Sequence, residues 1–234
     1  MNLLALETAT GVCGVALHRD GVLRAECWVE ERYVAAEWIF GLIDDVLQKG
    51  GVSAGDLSAV AVSIGPGSFT GLRIGLSVAK GLHAARGMAI IPVPTLEALA
   101  DAGAERAREM GATMILAALD ARRDEVYCQL FALEGGGVTP VWEVQDLAVE
   151  EVVRQLPGGA IAVTGDGREK VARVPGGMEG RRGSPLIVVP QEHARCSAAA
   201  VARLGASLFG SGVRSDPAVL EPRYVKEFFL RTKE

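Results

Sequence analysis

Aromatic residues are scarce, only 5% of the 234, so a core must be assembled from Ala, Val, Leu and Ile rather than from large rings. The four cysteines, Cys13, Cys27, Cys128 and Cys196, are scattered and include no CxxC pair. That spacing argues against a zinc ribbon, a thioredoxin-type redox pair and a disulfide scaffold, and leaves free thiols as the expectation. The three histidines, His18, His83 and His193, are never four apart, so they form no helical metal-binding pair, and no serine, histidine and aspartate stand in an evident triad order. No uncharged apolar run reaches the ~18 residues of a membrane span. The opening Met-Asn-Leu-Leu lacks the basic leader of a signal peptide, and the expectation is a cytoplasmic protein. Basic side chains are outnumbered, 24 against 29 acidic, for a net charge of −5. Such a chain gains little from counterion release at phosphates, so unaided nucleic-acid binding is not expected.

What is present is globular. Hydrophobic residues make up 49% and charged residues 23%, close to the averages for folded domains. The length accommodates one large domain or two small lobes sharing a cleft. Twenty-nine glycines exceed the roughly 7% background and imply tight turns and close backbone approaches.

Residues 3–7 form a short apolar run ending in Glu7, the pattern of a buried strand that carries a carboxylate at its exit. Residues 11–17 and 22–28 read as two more strands, joined through Asp20-Gly21, a strong hairpin signal. A helix over 35–49 stops at Gly50-Gly51, a strand covers 57–64, and a second helix runs to about Arg86. A strand over 88–93 and a third helix from Thr95 follow, with Thr95 suited to capping and Glu97 to the positive helix end. The order βββαβαβα predicts that the later strands pair in parallel. Residues 114–120 then repeat the opening theme, an apolar run ending in Asp120, followed by a polar turn and a strand over 126–131. Either short strands resemble one another by chance, or the chain is a duplicated two-lobe protein. Beyond this lie a strand near 138–144, a helix near 147–156, a strand near 160–164, loops around Gly176-Gly177 and Arg181-Arg182-Gly183, and a helix over 197–209.

The run Gly65-Pro66-Gly67-Ser68-Phe69-Thr70-Gly71-Leu72-Arg73-Ile74-Gly75 sits where a strand turns into a helix. Such a junction attracts anions, but the letters do not fit a phosphate loop. Leu72-Arg73 follows Gly71 where a Walker A loop needs Lys and Ser or Thr, and Thr70 replaces the third glycine of GxGxxG. Packing explains the run better: Ser68 can cap the helix, and Gly71, Gly75 and Ala79 leave a smooth stripe for another backbone. The preceding helix gathers Glu37, Asp44, Asp45 and Gln48 on one arc. Its apolar arc is roughly 200° wide where one buried face needs about 100°. It is either buried on two sides in the monomer or meets another protein, and the second is favoured because an early helix in a small lobe seldom has neighbours on both flanks.

Residues 65–75, then Ala79-Lys80-Gly81-Leu82, Thr95-Leu96-Glu97-Ala98-Leu99, Leu119-Asp120-Ala121-Arg122-Arg123 and Glu125-Val126-Tyr127 closely resemble the bacterial TsaB (YeaZ) family. The resemblance runs from about residue 3 to 131, with weaker matches at Gly165-Asp166-Gly167 and Pro222-Arg223-Tyr224. It implies an α/β actin-like (ASKHA, ribonuclease H-like) fold of two lobes, 1–104 and 105–234, each a mixed sheet with flanking helices. It also implies a non-catalytic subunit that pairs through its first two helices with the catalytic subunit TsaD. With the ATPase TsaE, the pair would support transfer of threonylcarbamoyl to adenosine 37 of tRNAs reading codons that begin with A. The expected interface is Ala36, Ile39, Phe40, Ile43 and Leu47 on the first helix, with Phe69, Arg73, Leu76, Ser77 and Lys80 on the second. The same surface would form a homodimer when the partner is absent. ATP and metal would belong to the partner subunits, tRNA would be met only through the assembly, and no membrane is involved.

The sequence departs from that family's habits in Ala35-Ala36, where His-Ser is common, and in Gly41, where Pro is frequent. Glu7-Thr8-Ala9-Thr10 stands where nucleotide-hydrolysing members of the superfamily have Asp followed by Gly and Thr. The competing reading is an enzyme, an ASKHA ATPase or a glycoprotease-like hydrolase, whose carboxylates Glu7 and Asp120 would hold Mg²⁺ and phosphates. A purely structural dimer unrelated to tRNA is the third reading.

Overall fold

A computed structural model describes residues 1–30, 35–174 and 186–226. Three strands open the chain, β1 (Asn2–Glu7), β2 (Cys13–Arg19) and β3 (Val22–Val29), followed by α1 (Ala35–Gly50), β4 (Ala59–Ser63), α2 (Phe69–Arg86), β5 (Ala89–Val93) and α3 (Thr95–Glu109). The second half contains β6 (Met114–Asp120), β7 (Glu125–Ala132), β8 (Thr139–Pro140), β9 (Gln145–Ala148), α4 (Val149–Gln155), β10 (Ile161–Thr164), α5 (Arg168–Ala172), β11 (Leu186–Val188) and α6 (Ala198–Gly210). The strand expected over 138–144 shrinks to β8, and β9 follows it where the next helix was expected to begin; both are laid against β7. The loops expected around 176–177 and 181–183 lie outside the described residues.

The first sheet has the order β3-β2-β1-β4-β5. β1 pairs antiparallel with β2 and parallel with β4, and β4 is parallel to β5. Asp20 and Gly21 both take positive φ, 50° and 84°, the two-residue hairpin geometry whose twist suits antiparallel strands. The second sheet repeats the plan: β7 is antiparallel to β6 on one side, while β10 and then β11 are parallel on the other. The duplication suggested by the two acid-ended strands is therefore the architecture.

Side-chain alternation along β1 shows how the layers stack. Leu4 and Leu6 face α1 and α2, whereas Leu3 and Ala5 face a central layer. That layer is α3 and α6, with α6 reaching back from the second half to pack on β1, β2, β4 and β5. The second sheet closes the other side of the layer and carries α4 and α5 on its outer face. The central layer is made of small residues: a Cβ added at Gly205 would stand 2.4 Å from Ala61 Cβ, and one at Gly14 3.3 Å from Ala198 Cβ. A chain poor in aromatics can place helices this close to two sheets, and Phe131 is the largest of its fully buried side chains.

Candidate functional site

Both helices of interest are set by local sequence. Ser68 Oγ accepts the Gly71 amide at 3.2 Å and starts α2, and Gly87, at φ 69°, closes it by donating to His83 O. The glycine stripe faces inward. Cβ atoms added at Gly71 and Gly75 would lie 1.9 Å from Thr8 O and 2.3 Å from Thr8 Oγ1. The close backbone approach foreseen for this stripe is thus made by the chain's own β1–β2 turn, which is fixed further by Thr8 Oγ1 donating to Gly71 O and Ser68 N donating to Ala9 O. Thr95, expected to cap α3, is its first helical residue, and its hydroxyl accepts the Gly65 amide at 2.9 Å. It ties the glycine-rich turn to α3.

α1 buries Ile39, Leu42, Ile43, Val46 and Leu47 against β2 and β3. Its remaining large apolar side chains, Trp38 and Phe40, are 46% and 61% exposed. The broad apolar arc therefore divides into a covered face and two exposed flanks, Trp38 on the β3 side and Phe40 on the α2 side. Between α1 and α2 runs a groove of about 750 Å³, lined by Ala36, Ile39, Phe40, Phe69, Thr70, Arg73, Ile74, Ser77, Val78, Gly81 and Leu82. Six of the ten expected interface residues line it: Ala36, Ile39, Phe40, Phe69, Arg73 and Ser77. Ile43, Leu47 and Leu76 do not; they are buried in the core of the first lobe, because α1 and α2 turn those positions toward the sheet. Lys80 is half-buried outside the groove lining.

Sequence reasoning missed Thr70, Ile74, Val78 and Leu82. The signal was there, since these residues recur every fourth position on α2 beside the glycine stripe. It also missed Tyr224, whose Pro222-Arg223-Tyr224 run had been noted only as a match. The C-terminal segment passes the groove's end: Arg223 N donates to Ile64 O at 2.6 Å, and the Tyr224 ring lies 5.3 Å from that of Phe69. Gly65 accommodates this passage, with φ 117° and room for no Cβ, which would stand 2.5 Å from Arg223 O. Arg73 is the one charged residue of the lining, its guanidinium 3.8 Å over Phe69 and its Nε donating to Tyr224 Oη at 3.0 Å.

The two carboxylates of the enzyme reading behave differently. Glu7 is wholly buried. Its Oε1 accepts from Ala9 N at 2.8 Å and Thr10 Oγ1 at 3.3 Å, and its Oε2 from Ser63 Oγ and from Cys196 Sγ at 3.2 Å. Burial pushes its pKa up, with those hydrogen bonds pulling back. Burial and the neighbouring Glu7 likewise hold the Cys196 thiol well above its usual value. Asp120, at the exit of β6, is exposed and accepts Arg122 N at 2.7 Å and Lys170 Nζ at 2.6 Å. The two acids share no hydrogen-bond partner among the described residues. No group of three His, Cys, Asp or Glu side chains among those residues is placed to hold a metal ion. No helix among them is long and apolar enough to cross a membrane.

Two copies of the same mixed-sheet plan around a shared helical layer define a two-lobed α/β protein of the actin-like ASKHA class. The model of the family described as TsaD, tRNA N6-adenosine threonylcarbamoyltransferase, matches residues 35–178. The tRNA threonylcarbamoyladenosine biosynthesis protein TsaB of Escherichia coli is 38% identical over 70% of this chain and 71% of its own. YeaZ from Pseudomonas aeruginosa superposes with a TM-score of 0.80 at 28% identity, covering 96% of this chain and 99% of that one. A further crystal structure from that organism, described as having similarity to peptidase YeaZ, gives a TM-score of 0.81 at 28% identity, with the same coverage. The chain belongs to the TsaB family, whose members serve tRNA threonylcarbamoyladenosine biosynthesis.

Proposed function

We propose that this protein is a non-catalytic scaffold and activator that pairs through the α1–α2 groove with the catalytic subunit TsaD. With TsaE, the pair forms threonylcarbamoyl-adenosine at position 37 of tRNAs reading codons that begin with A. The observation that carries the reading is the bare apolar lining of that groove, with Phe40 61% exposed at its rim. An apolar concavity walled by two helices is a fitting seat for another protein's helices. In the absence of TsaD, the same face serves a homodimer. The lobes are residues 1–104 and 105–234, ATP and metal stay with the partner subunits, tRNA is engaged by the assembly, and the setting is the cytoplasm.

Glu7 supports the non-catalytic part of the proposal. Its two carboxylate oxygens each accept two hydrogen bonds within the protein, and the Thr8 and Ala9 carbonyl oxygens press against Gly71 and Gly67 at the start of α2. The test is reconstitution: TsaD and TsaE assayed on tRNA with and without this chain, and with Phe40→Glu or Ser77→Arg. Both variants are expected to fold as the parent does, to lose pairing by light scattering and to lose stimulation of tRNA modification. Normal pairing by both would defeat the proposal.

A further inference from the structure

Phe69, Arg73 and Tyr224 form a closed triangle at the groove's end. The guanidinium lies 3.8 Å over the Phe69 ring, its Nε–H is given to Tyr224 Oη at 3.0 Å, and the two rings are 5.3 Å apart. A long exposed side chain is thereby fixed in both tilt and rotation, although Arg73 forms no ion pair among the described residues. Its two terminal nitrogens make no hydrogen bond or salt bridge among the described residues. The groove they share is otherwise lined by apolar side chains, Phe40, Ile74 and Val78 among them, and by the hydroxyls of Thr70 and Ser77. A guanidinium held by one face and by Nε presents its remaining N–H pairs as a ready fork, the geometry that a carboxylate satisfies with two parallel hydrogen bonds.

We propose that Arg73, set in place by Phe69 and the C-terminal Tyr224, receives an Asp or Glu side chain of the protein that docks in the groove. The inference rests on the pairing reading and deepens it: the partner face is apolar with one carboxylate placed opposite Arg73. A phosphate is the poorer fit, because the chain's net charge is −5 and the groove offers no second cation. Once docking excludes water, the charge-assisted pair strengthens and fixes register along the otherwise uniform apolar surface. Tyr224 acts as a positioning residue, not a contact.

The test is titration of the full chain against TsaD by calorimetry at low and high salt, with unfolding curves to check each variant. Arg73→Met keeps the apolar stem and is expected to weaken pairing roughly thirty-fold or more and to flatten its salt dependence. Arg73→Lys is expected to lose nearly as much, since an ammonium reproduces neither the fork nor the stack. Tyr224→Phe removes the acceptor of the Arg73 Nε hydrogen bond and is expected to weaken pairing by about three- to ten-fold while keeping the parent's salt dependence. Parent-like pairing by Arg73→Met, with Phe40→Glu still unable to pair, would overturn this inference alone. Parent-like pairing by Phe40→Glu would instead defeat the reading beneath it. If Arg73→Met pairs normally but the assembled complex no longer retains tRNA in a gel shift, the guanidinium serves phosphate and the carboxylate assignment is wrong.

Discussion

Glu7 ends the first strand with no water to face, and its four donors compensate for burial only in part. Its native pKa is raised above the ordinary 4.5, so in this window the folded state binds the proton more tightly than the unfolded chain does. Stability from this group is complete below 4.5 and drains away as pH climbs through the raised native value. The urea midpoint of the parent is expected to fall between pH 5 and pH 8, and Glu7→Gln, which still accepts from Ala9 N and Thr10, is expected to fall less. Equal slopes would mean that Glu7 stays ionised in the fold. The helix glycines separate as cleanly. Gly71→Ala drives a methyl to within 1.9 Å of Thr8 O and is expected to cost about 1–3 kcal/mol by overpacking. Gly41→Ala, which meets nothing within 4 Å, is expected to gain up to about 1 kcal/mol from helix propensity. Chemical denaturation of the pair checks both. The sequence showed that the stripe Gly71, Gly75, Ala79 needed a close neighbour; that the neighbour was Thr8, some sixty positions earlier, is tertiary information that no local pattern carries.

α1 shows where periodicity stops being informative. Its polar arc was legible because Glu37, Asp44, Asp45 and Gln48 fall together at 100° per residue, and all four are exposed. The apolar remainder was too wide to apportion. Which of Ile39, Phe40, Ile43 and Leu47 is covered depends on how deeply the helix settles onto β2 and β3, and that is decided by the sheet. Phe40→Glu is therefore expected to leave monomer stability within about 0.5 kcal/mol of the parent, whereas Ile43→Ala is expected to cost about 2–4 kcal/mol. Thermal unfolding at concentrations where the chain is monomeric distinguishes the two. Other elements escaped the sequence for want of length: α5 spans five residues and β11 three, too few to show any period. β9 escaped because its four residues, Gln145–Ala148, are too few to show a run of alternation.

For the molecule as a whole, the order of elements in each half and the repeated acid-ended strand were enough to expect two lobes, and both sheets adopt the same strand order. The interleaving of the halves was not legible. α6 carries an ordinary apolar pattern and could have packed on either sheet; Gly205 against Ala61 and Ala198 against Gly14 commit it to the first. The final described residues bind the halves again, with Arg223 and Tyr224 on the first lobe and Lys226 Nζ bonded to Ala121 O and paired with Glu125 and Asp146 in the second. A fragment of residues 1–104 is accordingly expected to lack a cooperative melt by circular dichroism, since the face bearing Leu3, Ala5, Ala59 and Ala61 would be stripped of its helix.

That dependence has a consequence during synthesis. β1 leaves the ribosome well before α6, so the inner surface of the first sheet waits, uncovered, until α6 has been made. Domains commonly fold as their N-terminal parts emerge, but here the first sheet is completed only by α6, and the nascent chain carries a bare alanine-rich sheet face for chaperones to shield until that closing helix leaves the exit tunnel.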